Sequence, residues 1–147
     1  MTATTPQLDL PWYGRDDHRC FGCAPANPHG LALRFTDTGD GGLTTTLRVG
    51  HDHESYPGVV HGGIVALTCD EIMGNLIVLR DGRVAVTTSL RMRYVGACRV
   101  GDEYTVTAHI DRETPDVVHT VAEVTDTDGT VVAVATAAYR PLAAEPA

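Results

Sequence analysis

The chain has 147 residues, of which 43% are hydrophobic, 5% aromatic and 20% charged, with 15 Gly and 8 Pro. That composition fits one compact domain and excludes a collagen, a coiled coil or a wholly disordered chain. Eleven Lys plus Arg against nineteen Asp plus Glu leave a formal net charge of -8, which opposes attraction to phosphate backbones and anionic lipid, so neither nucleic acid nor a membrane is expected as a partner.

From the N-terminus, residues 1–17 are expected to be a tail, 18–140 a single domain and 141–147 a second tail. The first stretch is rich in Thr and Pro without a period, and the last is mostly Ala and Pro. No apolar run approaches the roughly 20 residues of a spanning helix, and the first basic residue is Arg15, so no export signal is expected and the chain is read as cytoplasmic. Cys20, Cys23, Cys69 and Cys98 are accordingly read as thiols. Cys20-Phe-Gly-Cys23 has ligand spacing for zinc, and His18 and His29 could complete a set. With one Cys pair and no spaced His pair, however, the expectation is a structural segment lying over the sheet, with no metal and no cofactor. Asn27 to Gly30 reads as a turn before the first strand.

Leu31–Thr36 and Leu43–Val49 flank Asp40-Gly41-Gly42, which is hairpin chemistry. His51, His53 and Glu54 fall in a polar loop expected to be solvated. From Gly62 to Leu79, apolar residues recur at spacings of three to five and predict one long helix with little polar surface, covered nearly all round by a curved sheet and a second subunit. Val86, Thr88, Leu90, Met92 and Tyr94 then alternate with Thr87, Ser89, Arg91 and Arg93, a half-buried antiparallel strand. Tyr104–Arg112, Val117–Thr125 and Val131–Tyr139 follow as strands, the last apolar on both faces and therefore internal. Two strands, one helix and four strands, with no second helix for a parallel crossover, make an α+β fold with an antiparallel sheet wrapped on the helix.

Chemistry concentrates between Tyr56 and Glu71. Gly62 and Gly63 sit where a loop enters the helix, so their amides belong to its unpaired first turn and no side chain blocks a ligand; a developing oxyanion suits that place. Paired glycines also serve simple turns. Asp70 lies inside the most apolar helix, where a carboxylate is costly unless it is hydrogen-bonded or has a task. Gly63 and Asp70 are roughly 10 Å apart along a helix, too far to share one carbonyl within one chain. The simplest geometry therefore places Asp70 of one subunit against Gly62 and Gly63 of another, across a two-fold axis. Glu71 points about 100° away and reads as structural.

The run Gly58-Val-Val-His61-Gly62-Gly63, with an acid nine residues after the histidine, resembles the hotdog-fold acyl-CoA thioesterases of the PaaI type. Cys20 to Leu31, Thr87 to Tyr94 and Gly101-Asp102 extend the likeness over most of residues 18 to 140. The resemblance implies the hotdog fold, a homodimer with a dimer of dimers left open, and an acyl-CoA or acyl carrier protein thioester as substrate. It further implies that Gly62 and Gly63 polarise the thioester carbonyl while His61 orients the substrate. Asp70 from the partner chain would attack the carbonyl or activate water, with Thr87 steadying it. Some members carry Asn six residues before the histidine; this chain has Ser55, whose hydroxyl reaches less far and offers one donor rather than two. Ser55, Thr88, Arg91 and Arg93 are taken as substrate contacts, the guanidinium groups suiting the phosphates of a CoA tail. An activated thioester carbonyl needs only one carboxylate and one oxyanion site, and no Gly-x-Ser-x-Gly elbow supports a serine hydrolase. Enoyl-thioester hydration and non-catalytic acyl-CoA binding are the alternatives.

Overall fold

The structure is a computed structural model that describes residues 5–143. In chain order it contains β1 (Gln7–Leu8), β2 (Phe35–Asp37), β3 (Leu43–Leu47), a 3₁₀ turn (His51–His53), the helix α1 (Gly62–Asp81), β4 (Ala85–Tyr94), β5 (Tyr104–Glu113), β6 (Val118–Thr125) and β7 (Val131–Pro141). All strands pair antiparallel in one sheet of order β1-β2-β3-β5-β6-β7-β4. β3 and β4 flank α1 in sequence but are separated in the sheet by three strands, so α1 has to cross the sheet's face between them. The α+β reading holds, and β7 is internal, between β6 and β4.

The register shows how the sheet receives the helix. Leu43, Ala108, Ala122, Ala135 and Met92 lie opposite one another across β3, β5, β6, β7 and β4. Three buried alanines in the middle of that row let the helix backbone come close, while larger residues close the flanks. From the helix side, Val65, Thr68, Cys69, Ile72, Met73, Asn75, Leu76, Ile77 and Val78 are buried, whereas Ile64 and Leu67 near the N-terminus stay half-buried. By length and composition α1 could cross a bilayer, contrary to the expectation that no run approaches that length. Here the sheet supplies the apolar surroundings instead. The helix stops at Gly82, whose left-handed backbone (φ 68°) lets its N–H reach the Val78 carbonyl at 2.7 Å.

Four sequence expectations need correction. Leu31–Thr36 does not form a whole strand: Ala32 has φ 48°, and the Leu31 and Leu33 amides donate to the Phe21 and Gly22 carbonyls, leaving only Phe35–Asp37 for the sheet. Part of the expected tail 1–17 belongs to the fold, since β1 pairs with β2 and Leu10 is buried in the core; Met1 to Thr4 lie outside the described residues. In the expected C-terminal tail, Pro141 ends β7 and the Leu142 amide donates to the Val84 carbonyl, while residues 144–147 lie outside the described residues. Finally, β4 is more exposed than a half-buried strand: nothing pairs with its outer edge among the described residues, and only Ala85 and Met92 are less than exposed.

The alanine row sets a packing limit that can be measured. Ala122→Leu should lower unfolding free energy in urea by about 1–3 kcal/mol through overpacking beneath α1. Thr136→Val, on the outer face of β7, should change it by no more than about 0.5 kcal/mol.

Candidate active site

The loop entering α1 is braced, not merely solvated. Glu54 accepts from the Gly58 amide and from His51 Nδ1, each at 3.0 Å, and His51 beside it holds its carboxyl below the usual range. Bridges Glu54–Val60 and Val59–Arg99 and a bond from the His61 amide to the His53 carbonyl (2.9 Å) fix the approach further. These contacts explain His51, His53 and Glu54, which sequence reasoning left to solvent.

His61 is the N-cap of α1, and its Nδ1 accepts the Gly63 amide at 2.8 Å. The two glycines are therefore unequal. The Gly63 N–H is spent on the cap, whereas the Gly62 N–H makes no hydrogen bond among the described residues. A neutral imidazole accepting at Nδ1 carries its proton on Nε2, so the donors this end can offer a ligand are Gly62 N–H and His61 Nε2–H. The Tyr94 hydroxyl donates to the Gly62 carbonyl at 2.6 Å and ties the end of β4 to the helix entry.

Asp70 lies two turns further on. Its Oδ1 accepts from Thr87 Oγ1 at 2.8 Å and from the Tyr139 hydroxyl at 2.6 Å; the same hydroxyl lies 2.9 Å from the Asp70 carbonyl oxygen. Tyr139 is 1% exposed, and burial, with Asp70 next to it, pushes its phenol well above the ordinary range, so it stays protonated and donates. Sheet register makes this pair. Val118, Tyr139 and Thr87 are direct neighbours across β6, β7 and β4, all facing the helix. Gly74, one turn past Asp70, leaves room for the Tyr139 ring, which lies 3.4 Å from where a Cβ would stand.

A bulge decides which residues of β4 face inward. Thr87 pairs with Tyr139 and Ser89 with Ala138, so Thr88 is the extra residue. Thr87 thereby shares the helix-facing side with Leu90, Met92 and Tyr94, although its odd spacing from them in sequence assigns it to the other face. The expected face of Val86, Thr88, Leu90, Met92 and Tyr94 is thus corrected at its first two members.

Of the expected site residues, the structure brings Asp70 to Thr87 and His61 to Gly63. It does not bring Gly62 or Gly63 to Asp70 within one chain, in line with their ~10 Å helical separation. Ser55 turns back on its own loop, with Oγ 3.4 Å from the Val59 carbonyl, and the Thr88 hydroxyl donates to the Ala138 carbonyl at 3.0 Å. As placed, each hydroxyl spends its proton within the chain and offers a ligand only its acceptor lone pairs. Arg91 and Arg93 are exposed on the face of β4 away from α1. Tyr139 and Tyr94 escaped the sequence reading. The available signal for Tyr139 was one large hydroxyl-bearing residue ending the run Ala135-Thr-Ala-Ala138 on an otherwise small-residue face. Asp70, Glu71, Gly74, Thr87 and Tyr139 line an open cleft of about 170 Å³, together with Trp12.

Comparison with known proteins fits this geometry. A sequence model described as the thioesterase superfamily matches residues 57–133, just over half of the chain. Among curated proteins no sequence matches. A crystal structure of a thioesterase superfamily protein superposes with TM-score 0.74 at 22% identity, over 80% of this chain and 58% of that one, so this chain spans under two thirds of its length. A Streptococcus pneumoniae TIGR4 hypothetical thioesterase solved with coenzyme A gives TM-score 0.68 at 25% identity, over 74% of this chain and 87% of that one. A Streptococcus mutans UA159 protein bound to acetyl-CoA gives 0.68 at 24%, over 75% and 88%. One long helix crossing a seven-stranded antiparallel sheet, with a matching stretch that runs from the helix entry into β7, has one family meaning: the chain has the hotdog fold and belongs to the thioesterase superfamily.

Proposed function

We propose that the protein hydrolyses an acyl thioester of coenzyme A or of an acyl carrier protein, with Asp70 as its essential carboxylate. The observation that carries this reading is the Asp70 side chain at the cleft, one oxygen held by the hydroxyls of Thr87 and Tyr139 and the other making no hydrogen bond among the described residues. A carboxylate so oriented can take a proton from water as the water attacks, or can attack the carbonyl itself. The tetrahedral oxyanion would accept from Gly62 N–H and His61 Nε2–H, and the C–S bond then breaks to release the thiol and a carboxylic acid. The coenzyme A complexes of the streptococcal proteins support the substrate class.

The two halves of this machinery are two turns apart on one helix, and β4 supplies the means to unite them. Thr87, near one end of β4, touches Asp70; Tyr94, at the other, touches Gly62. The outer edge of β4 is unpaired among the described residues; the strand carries Val86, Leu90 and Tyr94 at 44%, 37% and 50% exposure, and Val95 follows at 65%. A long unpaired edge strand with exposed apolar side chains invites pairing. Antiparallel pairing of β4 with its twin sets the Tyr94 end of one copy beside the Thr87 end of the other, and with it the Gly62 amide of one against Asp70 of the other. In this homodimer the site is shared.

Asp70→Asn, which keeps the acceptor for both hydroxyls, should lower kcat on a panel of acyl-CoAs by about 10²–10⁴-fold with unchanged elution in gel filtration. Undiminished thiol release would end the proposal. Thr87→Ala and Tyr139→Phe should each lower kcat by about tenfold or more, the worth of one hydrogen bond to a charged group. Single turnover in ¹⁸O water tests for direct attack: label in the Asp70 carboxylate marks an anhydride opened by water at the Asp70 carbonyl carbon, whereas label in the product acid alone fits either route. Leu90→Arg should yield a monomer by light scattering that retains native circular dichroism but little turnover; a fully active monomer would refute the shared site.

A further inference from the structure

The motif Cys20-Phe-Gly-Cys23 lies outside the hydrolytic machinery, and the fold has built a pocket of donors around it. Cys20 Sγ lies 3.2 Å from Glu71 Oε1, and the Cys20, Cys23 and Glu71 donor atoms all fall within 4.8 Å of one another. His18 Nε2 lies 3.7 Å from Cys23 Sγ, and the imidazole is buried, its ring tilted against Trp12. In a tetrahedral zinc centre with Zn–S about 2.3 Å and Zn–N or Zn–O about 2.0–2.2 Å, neighbouring donors are about 3.3–3.8 Å apart. The Cys20–Glu71 and His18–Cys23 distances, 3.2 and 3.7 Å, fall on or near those edges.

Two glycines permit the arrangement. A Cβ on Gly22 would stand 2.4 Å from Glu71 Cδ, so only glycine lets the carboxyl group press against the cysteine loop. A Cβ on Gly30 would stand 2.3 Å from the Phe21 carbonyl oxygen, so that glycine holds the following segment against the loop. The Leu31 and Leu33 amides then bond to Phe21 and Gly22, and the Ala24 amide to the Cys20 carbonyl, which closes the loop into a rigid turn. Asn75 Nδ2 donates to Glu71 Oε1 at 2.9 Å and orients the carboxylate from the next helical turn, as outer partners of metal ligands do.

We propose that Cys20, Cys23 and Glu71, completed by His18 turning in toward them, form a closed structural zinc site that fastens the N-terminal segment to α1. Sequence spacing offers only the two sulfurs and nearby histidines; the third ligand comes from the helix, 48 residues beyond Cys23 in number and adjacent in space. His29 takes no part in the cluster. Four protein ligands and no open position make the centre structural, apart from the hydrolytic step. On binding, both thiols lose their protons to solvent as two Zn–S bonds form.

The full chain, expressed with zinc and purified without chelator, should carry about one zinc per chain by mass spectrometry after gel filtration. Stripped protein titrated with Zn²⁺ alone should regain that stoichiometry, release protons and melt at a higher temperature. Cys20→Ser/Cys23→Ser should abolish the stoichiometric zinc and the melting shift, and Glu71→Gln should weaken binding. The stripped and reloaded wild type tests the proposal even where the double variant does not fold. Background zinc with no melting response to Zn²⁺, zinc retained at full stoichiometry by a folded double variant, or a wild-type mass two daltons low from a Cys20–Cys23 disulfide would each overturn it.

Discussion

A twenty-residue apolar helix between two strands that lie far apart in the sheet has to be laid across the sheet, and the sheet must make room for it. Most other features follow from that demand. Alanines at 108, 122 and 135 fall in one cross-strand row because a larger residue there would lift the helix. Towards one end of α1 the accommodation runs the other way: Gly74 on the helix yields to the Tyr139 ring on β7. The tyrosine hydroxyl so delivered is what makes a carboxylate on an apolar helix tolerable, since Asp70 exchanges water for two oriented donors. Packing and chemistry meet in the same side chain.

How much of this could be read from sequence depended on how local the cause was. The helix is marked by its own period, and its observed end lies two residues past the expected one. The long strands β5 and β6 announce themselves by alternation between turns, and β7 by a run apolar on both faces. Leu31–Thr36 failed because its amides are taken by the Phe21 and Gly22 carbonyls, a competition that no strand pattern reveals. The bulge at Thr88 is equally invisible, for a bulge is a property of two strands together and only the register with β7 exposes it. Asp70 and Thr87 were legible, the first from the cost of a carboxylate among apolar residues and the second through family likeness. Tyr139 was not, standing 69 positions along the chain from its acceptor. His61, Gly62 and Gly63 were legible as a group, but their division of labour was not. Which amide is spent on the cap depends on a side-chain rotamer.

The bulge also has a functional consequence. A regular β4 would send Thr87 and Tyr94 to opposite faces, because they stand seven positions apart and strand side chains alternate. With one residue inserted, both look toward α1, so a single strand touches the helix at its entry and again at Asp70. Any displacement of β4 by a binding partner is therefore felt at both places together.

Charge bears on the proposed substrate in a similar local way. A net -8 repels a coenzyme A tail at long range. Yet the cross-strand neighbours of Arg91 and Arg93 on β7 are Thr136 and Val134, which leave both guanidinium groups without a facing carboxylate on that strand. Since fields between exposed charges fade over about 8–10 Å at ordinary ionic strength, a phosphate at the rim of β4 would feel these two arginines first, with Glu123 of β6 two strands over from Arg93 in the same row. On the proposed reading the bulge matters here too: by turning Thr87 inward along with Leu90 and Met92, it gives the strand one face for the acyl thioester and leaves the arginine face for the phosphates.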